Sequence, residues 1–293
     1  MSADAYRQVL LARQFLNTGN LTRRIYEAAL RLCERAVALD PRYAEAWCLI
    51  AHARERLQFQ GIAGEDGMLA VERALALDGN LAMAHAIKAR ILSRKGDFAE
   101  AERAMARAMA LDADSLHVVS ARAGLHFLQR QFVEALPFYR RAADLNPRDC
   151  AQLGMICTIG MKLKDKDLLQ TMARQLVERA EPIVTQEFDN TTVISWFVVG
   201  LGVLGQVERA REWIERAMII DPDDFNMRYN FACASVQTLN DLETALVLLE
   251  ETLNQVKAEA LAWVKIDPDL DPLRDDPRFQ ALIATAEMRL AAR

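Results

Sequence analysis

The sequence predicts an all-α protein, a solenoid of antiparallel helix pairs, and three observations carry that expectation. First, the 293-residue chain repeats on itself at an interval of 34: Ala74 and Ala108, Ala101 and Ala135, Ala108 and Ala142, and Ala113 and Pro147 are all separated by it. An interval of this length marks a two-helix unit that stacks on copies of itself. Second, small residues recur seven apart within the units, at Ala101 and Ala108, Ala135 and Ala142, and Ala210 and Ala217. Seven residues is nearly two helical turns, so each pair lines one face and lets a neighbouring helix approach closely. Third, helix-forming Ala, Leu, Glu and Arg dominate, against only 12 Gly and 8 Pro.

The units follow in order. Residues 5–43 open with AYRQVLLARQFLN and close on YEAALRLCERAVALDP, where Leu39-Asp40-Pro41 stops a helix because proline cannot continue one. Residues 44–81 place Ala44, Trp47, Ile50 and Ala51 on a first helix and GMLAVERALALDG on a second. Extra residues are expected between paired helices at 17–21 and 58–66. Residues 82–115 and 116–149 are the clearest units, with second helices in GDFAEAERAMARAMALDA from Gly96 and RQFVEALPFYRRAADLNP from Arg130. Residues 150–190 keep amphipathic spacing through Leu168, Leu169, Met172 and Leu176 but lack the proline ending. Residues 191–224 end in GQVERAREWIERAMIIDP, and 225–257 form the last pair. Larger residues between the alanines, Met105, Tyr139 and Ile214, are expected to fill the space between units. The array thus spans 1–257, with 150–190 degenerate, and 258–293 is a C-terminal segment with a capping helix.

That last segment holds Asp267, Asp269, Asp271, Asp275 and Asp276 within ten residues. D-x-D-x-D opens a calcium loop, but such a loop needs Gly at its sixth position and Glu at its twelfth. Counted from Asp267, those positions hold Pro272 and Arg278, so calcium is not expected. The expectation is structural: Asp271 before Pro272 and Asp276 before Pro277 read as helix N-caps with proline in the first turn. A helix from Arg278 would turn Phe279, Leu282, Ile283 and Met288 to its apolar side and cover the last unit, as solenoid ends require.

Composition narrows the function. A formal net charge of -5 argues against a general nucleic-acid surface. The five cysteines are odd in number and lack a C-x-x-C pair, which fits buried thiols in a reducing compartment rather than disulfides or zinc. The most apolar stretch, VISWFVVGLGVLG, is short for a membrane span and reads as a buried helix. No secretory signal is visible at the N-terminus, and a cytoplasmic location is the expectation. The four histidines lack H-x-x-x-H spacing, and no phosphate loop, nucleophile elbow or Ser/His/Asp constellation occurs, so no enzymatic activity, cofactor or metal is expected.

The 34-residue period, the L-D-P endings and the Trp-plus-small first-helix pattern resemble the tetratricopeptide repeat. The combination of AYRQVLLARQFLN, YNFACASVQTLNDLETALVLLEETL and WVKIDPDLDPLRDDPRFQALI is similar to the C-terminal repeat regions that bacteria attach to class III adenylate cyclases, winged-helix transcriptional regulators and some signalling kinases. The resemblance implies a right-handed superhelix whose inner groove, lined by first helices, binds a protein or peptide. Carried onto this sequence, it places His52, Arg90, Arg94, His117, Ser120, Gly124, Phe127, Thr158 and Met161 in the groove. His52, Arg90, Arg94 and His117 would make its middle basic and suit an acidic side chain or a C-terminal carboxylate. Phe127 and Met161 would add apolar contacts, and Gly124 and Gly154 would leave room for a peptide backbone. The implied function is a regulatory interaction module. The alternative is a dimerisation module for an effector domain outside these residues, with Trp196–Leu204 or the terminal helix as the interface.

Overall fold

The computed structural model describes residues 2–17, 22–59 and 67–292, so most of the two expected insertions, at 18–21 and 60–66, lies outside the described residues. Everything regular in it is helical, and no strand occurs among the described residues. The chain divides into two compact units, Met1–Asn146 and Pro147–Arg293.

The first unit holds α1 (Ala3–Leu16), α2 (Arg23–Leu39), α3 (Ala44–Phe59), α4 (Gly67–Leu77), α5 (Ala82–Arg94), α6 (Phe98–Leu111), α7 (Leu116–Leu128) and α8 (Phe132–Leu145). Each odd helix packs on the even helix that follows it, and successive odd helices α3, α5 and α7 also touch. The alanine rows are the reason this works. Ala101, Ala108, Ala135 and Ala142 are fully buried, as are Ala210 and Ala217 in the second unit, while Met105, Tyr139 and Ile214 fill the space between. A side chain of one carbon lets helices pack at close axial distance, and anything larger would overpack the seam.

Turn chemistry repeats with the same period. Gly96, Arg130 and Lys164 lie 34 apart, each just past a first helix, and each has positive φ (81°, 60° and 55°). Gly205 (75°) and Asn240 (51°) hold the corresponding places further on. Glycine takes that left-handed backbone at no steric cost, so Arg130 and Lys164 are held there by the flanking helices. Aspartate or asparagine caps then start the next helix: Asp97, Asp165, Asn190, Asp224 and Asp241 each accept from a backbone N–H three residues on. A second device recurs at the fourth position of the first helices. Trp47 Nε1 donates to the Pro41 carbonyl at 3.0 Å, His85 Nε2 stands 3.0 Å from the Gly79 carbonyl, and Arg228 donates to the Pro222 carbonyl. Three different side chains thus tie a first helix to the turn before it.

The second unit holds α9 (Ala151–Leu163), α10 (Lys166–Gln186), α11 (Thr191–Val203), α12 (Val207–Ile220), α13 (Phe225–Ala234), α14 (Leu242–Gln255), α15 (Ala258–Ile266) and α16 (Pro277–Ala291). Without a Leu-Asp-Pro stop, α10 runs on to 21 residues, with Pro182 inside it. Leu176 is its buried anchor, with Ala173, Val177, Ala180 and Val184; Leu168, Leu169 and Met172 are only half-buried. A π turn over Ser235–Leu239 continues α13, and a 3-10 segment over Pro268–Leu273 links α15 to α16. Helix α11 is the core of this unit, with Val193, Ile194, Phe197, Val198 and Leu201 at 1% exposure or less. The expectation of Trp196–Leu204 as a dimer interface therefore fails, because its apolar side chains are already spent on α9, α10, α12 and α13.

Candidate functional sites on the first-helix faces

In the first unit the expected basic centre proves to be largely self-neutralised. Glu55, 3% exposed, accepts from Arg90 Nη2 at 2.8 Å and from Arg94 Nη1. Burial pushes the Glu55 carboxyl up, but the two guanidiniums outweigh it and hold its pKa below the ordinary value. Arg13 pairs with Glu45 in the same way on the preceding helices. His52 is 7% exposed and stacks edge-on to Tyr26 and to His117, with ring centroids 5.9 and 5.2 Å apart. Burial, then the charge of Arg90, pushes His52 well below the usual imidazole range and His117 down to about 4. Both rings are neutral at pH 7. The expectation that these histidines add positive charge is corrected accordingly.

Three further first-unit residues can be placed. Phe127, 2% exposed, packs against Phe132 at 5.6 Å and belongs to the core, so it offers no contact to a partner. Ser120 is half-buried. Gly124 faces open space, with nothing within 4 Å of where a Cβ would stand.

The second unit forms a small pocket, open to solvent, on its own first helices. Thr158 and Met161 line it from α9, Trp196 and Val199 from α11, Asn230, Cys233 and Ala234 from α13, Gln237 and Thr238 from the π turn, and Asp269 from the 3-10 segment. Two sequence-expected residues, Thr158 and Met161, are thereby brought together. Gly154 does not leave room for a peptide: a Cβ there would stand 1.9 Å from the Trp196 ring, which lies against the helix in its place. Gly202 performs the same service for Thr238, at 2.3 Å. The π turn adds a residue to its helical turn, and so swings Gln237 and Thr238 onto this face.

The acidic segment comes back onto the same face. Asp267, 3% exposed, accepts from Tyr229 Oη at 2.5 Å and from the Asp269 backbone N–H at 2.9 Å. It caps the 3-10 segment, and Asp271, expected to be a cap, lies within that segment instead of at its start. Asp276 does cap α16, accepting from Arg278 N at 2.8 Å. Lys162 Nζ donates to the Pro268 carbonyl at 2.6 Å and stands 3.7 Å from Asp269 Oδ1. Gln237 donates to the Asp269 carbonyl, and Arg274 to the carbonyls of Val264 and Asp267 at 3.2 and 2.7 Å. Burial, then the neighbouring Asp267 charge, pushes Asp269 up to about 8; burial raises Asp267 as well. On α16, Phe279 and Ala286 are buried and Leu282 and Ile283 half-buried, but Met288 is 66% exposed rather than on the covered side.

One set of side chains has metal-ligand character. Cys233 Sγ, Asp267 and Asp269 oxygens lie within 4.8 Å of one another. Burial keeps the Cys233 thiol pKa well above its usual value, so the thiol is not a ready ligand and the donor set fits a metal ion poorly. All five thiols are buried, with Cys33, Cys48, Cys150 and Cys157 pushed up to about 12 by desolvation.

Sequence reasoning missed Trp196, Asn230, Gln237 and Asp269 as pocket residues. The repeat register pointed that way only in placing Thr158 and Met161 on the first-helix face.

Residues 84–119 match the family model described as the tetratricopeptide repeat. The fold is that of a tetratricopeptide-repeat solenoid. Among solved structures, the chain is similar to the human IFIT1 dimer with m7Gppp-AAAA, at 17% identity and a TM-score of 0.60, over 92% of this chain and 68% of that one. It is similar also to PilW, a widely conserved type IV pilus biogenesis factor, at 17% identity and a TM-score of 0.51, over 76% of this chain and 96% of that one. A third likeness is to the APC/C hetero-tetramer Cut9-Hcn1, at 12% identity and a TM-score of 0.56, over 89% of this chain and 52% of that one. At these identities the likeness is one of fold. No curated protein matches the sequence. Among the described residues no helix is long and apolar enough to cross a membrane. A tetratricopeptide solenoid is in general a scaffold for protein–protein interaction.

Proposed function

We propose that this chain is a non-catalytic scaffold that holds a peptide segment of a partner protein on its first-helix faces, as a cytoplasmic regulatory module in bacterial signalling or transcription. One observation carries the reading: the pocket of the second unit keeps polar groups without internal partners. Thr158 and Asn230 line it and make no side-chain hydrogen bond among the described residues, whereas Gln237 and Thr238 beside them are bonded. An unused carboxamide, with one acceptor and two donors, suits a peptide backbone.

A photo-reactive side chain placed at Met161, in the pocket, and separately at Met288, exposed on α16, tests this. The reading expects partner cross-links from position 161 and none from 288. Equal labelling at both positions, or none at 161, refutes it. The dimer alternative is supported by the exposed Met288 on α16; a monomer by light scattering at all concentrations removes it.

A further inference from the structure

We infer that the second-unit pocket is a receptor for an alkylammonium group, supplied by a lysine side chain of the partner segment; this rests on the reading that the pocket is a binding face.

Asp269 lines the pocket and Asp267 lies buried beside it, with the Lys162 ammonium facing both. The Arg274 guanidinium bonds two backbone carbonyls, stands 3.6 Å from Asp271 and adds its charge to Asp267. Asp269 is left with the Lys162 ammonium at 3.7 Å, beyond hydrogen-bond reach. The two acids are unequally satisfied. Asp267 has the Tyr229 hydroxyl and a backbone N–H. Asp269 borders the pocket, and its Oδ1 accepts no hydrogen bond. A buried acceptor left unmade costs free energy that an incoming donor recovers.

The rest of the pocket fits the remainder of such a group. Trp196, Met161 and Val199 form an apolar wall along which a methylene stem can lie, and an indole face attracts a cation. The Thr158 hydroxyl and the Asn230 carbonyl oxygen are unbonded acceptors in the same space. An ammonium has three hydrogens to place, and Asp269, Thr158 and Asn230 offer three acceptors. An anion has no counterpart here, since Lys162 is already bonded to the Pro268 carbonyl.

Without a guest, burial and then the Asp267 charge favour the protonated acid, and Asp269 is held up to about 8. A bound ammonium takes the place of that proton. The titratable groups that face Asp269 are Asp267 and Asp271 from its own segment, Lys162 from α9 and Cys233 and Tyr229 from α13. Tyr229 and Cys233 are pushed above their ordinary values by burial, so the proton exchanged near neutrality belongs to the Asp267–Asp269 pair. Binding releases that proton and strengthens as pH rises towards 8.

The test uses the full chain, labelled for NMR, with n-butylammonium chloride as the probe and n-butanol as its neutral isostere. The expected result is butylammonium saturation, read at the Trp196 indole and Asn230 carboxamide signals, at a concentration at least tenfold below that of butanol. The preference should grow several-fold from pH 6.5 to 8 and fall at least tenfold in Asp269→Asn. Asn230→Ala, which leaves the carboxylates untouched, should weaken butylammonium several-fold and serves if the first variant fails to fold. Equal response to both probes overturns the inference, as does an unchanged preference in both variants or no response up to about 0.1 M, the weak end of measurable affinity. Cross-linking at position 161 with no ammonium preference would overturn this chemistry alone; loss of that cross-linking would remove the binding face itself.

Discussion

Replacing Glu55 by glutamine tests how the first unit is held together. The substitution keeps shape and one acceptor but removes the charge that Arg90 and Arg94 share. Glu55 is 3% exposed, and the two arginine side chains are 18% and 19% exposed, so all three groups are mostly out of water. Removing one partner of a buried ion pair typically costs 3–5 kcal/mol, because the remaining charge is left unpaired. Residual exposure of the arginines and the retained amide oxygen favour the lower end, about 3 kcal/mol. At roughly 2–4 °C per kcal/mol for a domain of about 150 residues or more, the melting temperature should fall by about 6–12 °C. The pH dependence carries a second signature. The folded pKa of Glu55 lies below its unfolded value of about 4.3, so its stabilising contribution is present above pH 4.3 and lost as pH falls through the folded pKa. Wild-type chain should therefore shed this increment on acidification, and Glu55→Gln should not. Thermal melts followed by circular dichroism from pH 3 to 7 read both effects. A melting temperature within about 1 °C of wild type, with an unchanged acid limb, would refute the view that this triad is an integral brace. The same argument makes Arg90→Glu with Arg94→Glu a poor probe of binding, since it would set two more carboxylates beside a buried one.

Other consequences can be checked individually. Lys164→Gly should raise stability by about 1 kcal/mol by relieving a side chain from the left-handed backbone, and Gly205→Ala should lower it by a similar amount; urea midpoints measure both. Gly154→Ala should displace the Trp196 ring, costing about 1–3 kcal/mol and changing the indole fluorescence; wild-type emission and stability would show that the ring is not seated on α9. Asp269 has a folded pKa raised to about 8, so the native state binds the extra proton: its contribution is fully present below the unfolded value of about 3.9 and is lost as pH rises through 8. Stability of the wild type should decline across that window, and Asp269→Asn should flatten the decline when urea midpoints are compared at several pH values.

The sequence by itself determined the fold class, because helix pairing here is written in local chemistry. Seven-spaced alanines, Leu-Asp-Pro stops and a tryptophan at the fourth position act within a few turns of themselves, and the 34-residue period repeats them. His85 stands at the position Trp47 holds in the preceding unit and makes the same bond to a turn carbonyl six residues back, which only the structure shows. What only the tertiary structure decided is where the charges go. Glu55 meets Arg90 and Arg94 across 35 and 39 residues, and no local pattern distinguishes a solvated arginine from one already paired. Lys162 meets Pro268 across 106 residues, turning an acidic run that resembles a calcium loop or a row of caps into the floor of a pocket. The π turn that brings Gln237 to that floor depends on Gly202 yielding space on another helix. Periodicity can say which face of a helix looks inward. Which side chains on that face remain unspent depends on long-range electrostatics and packing, and these exist only once the chain has folded.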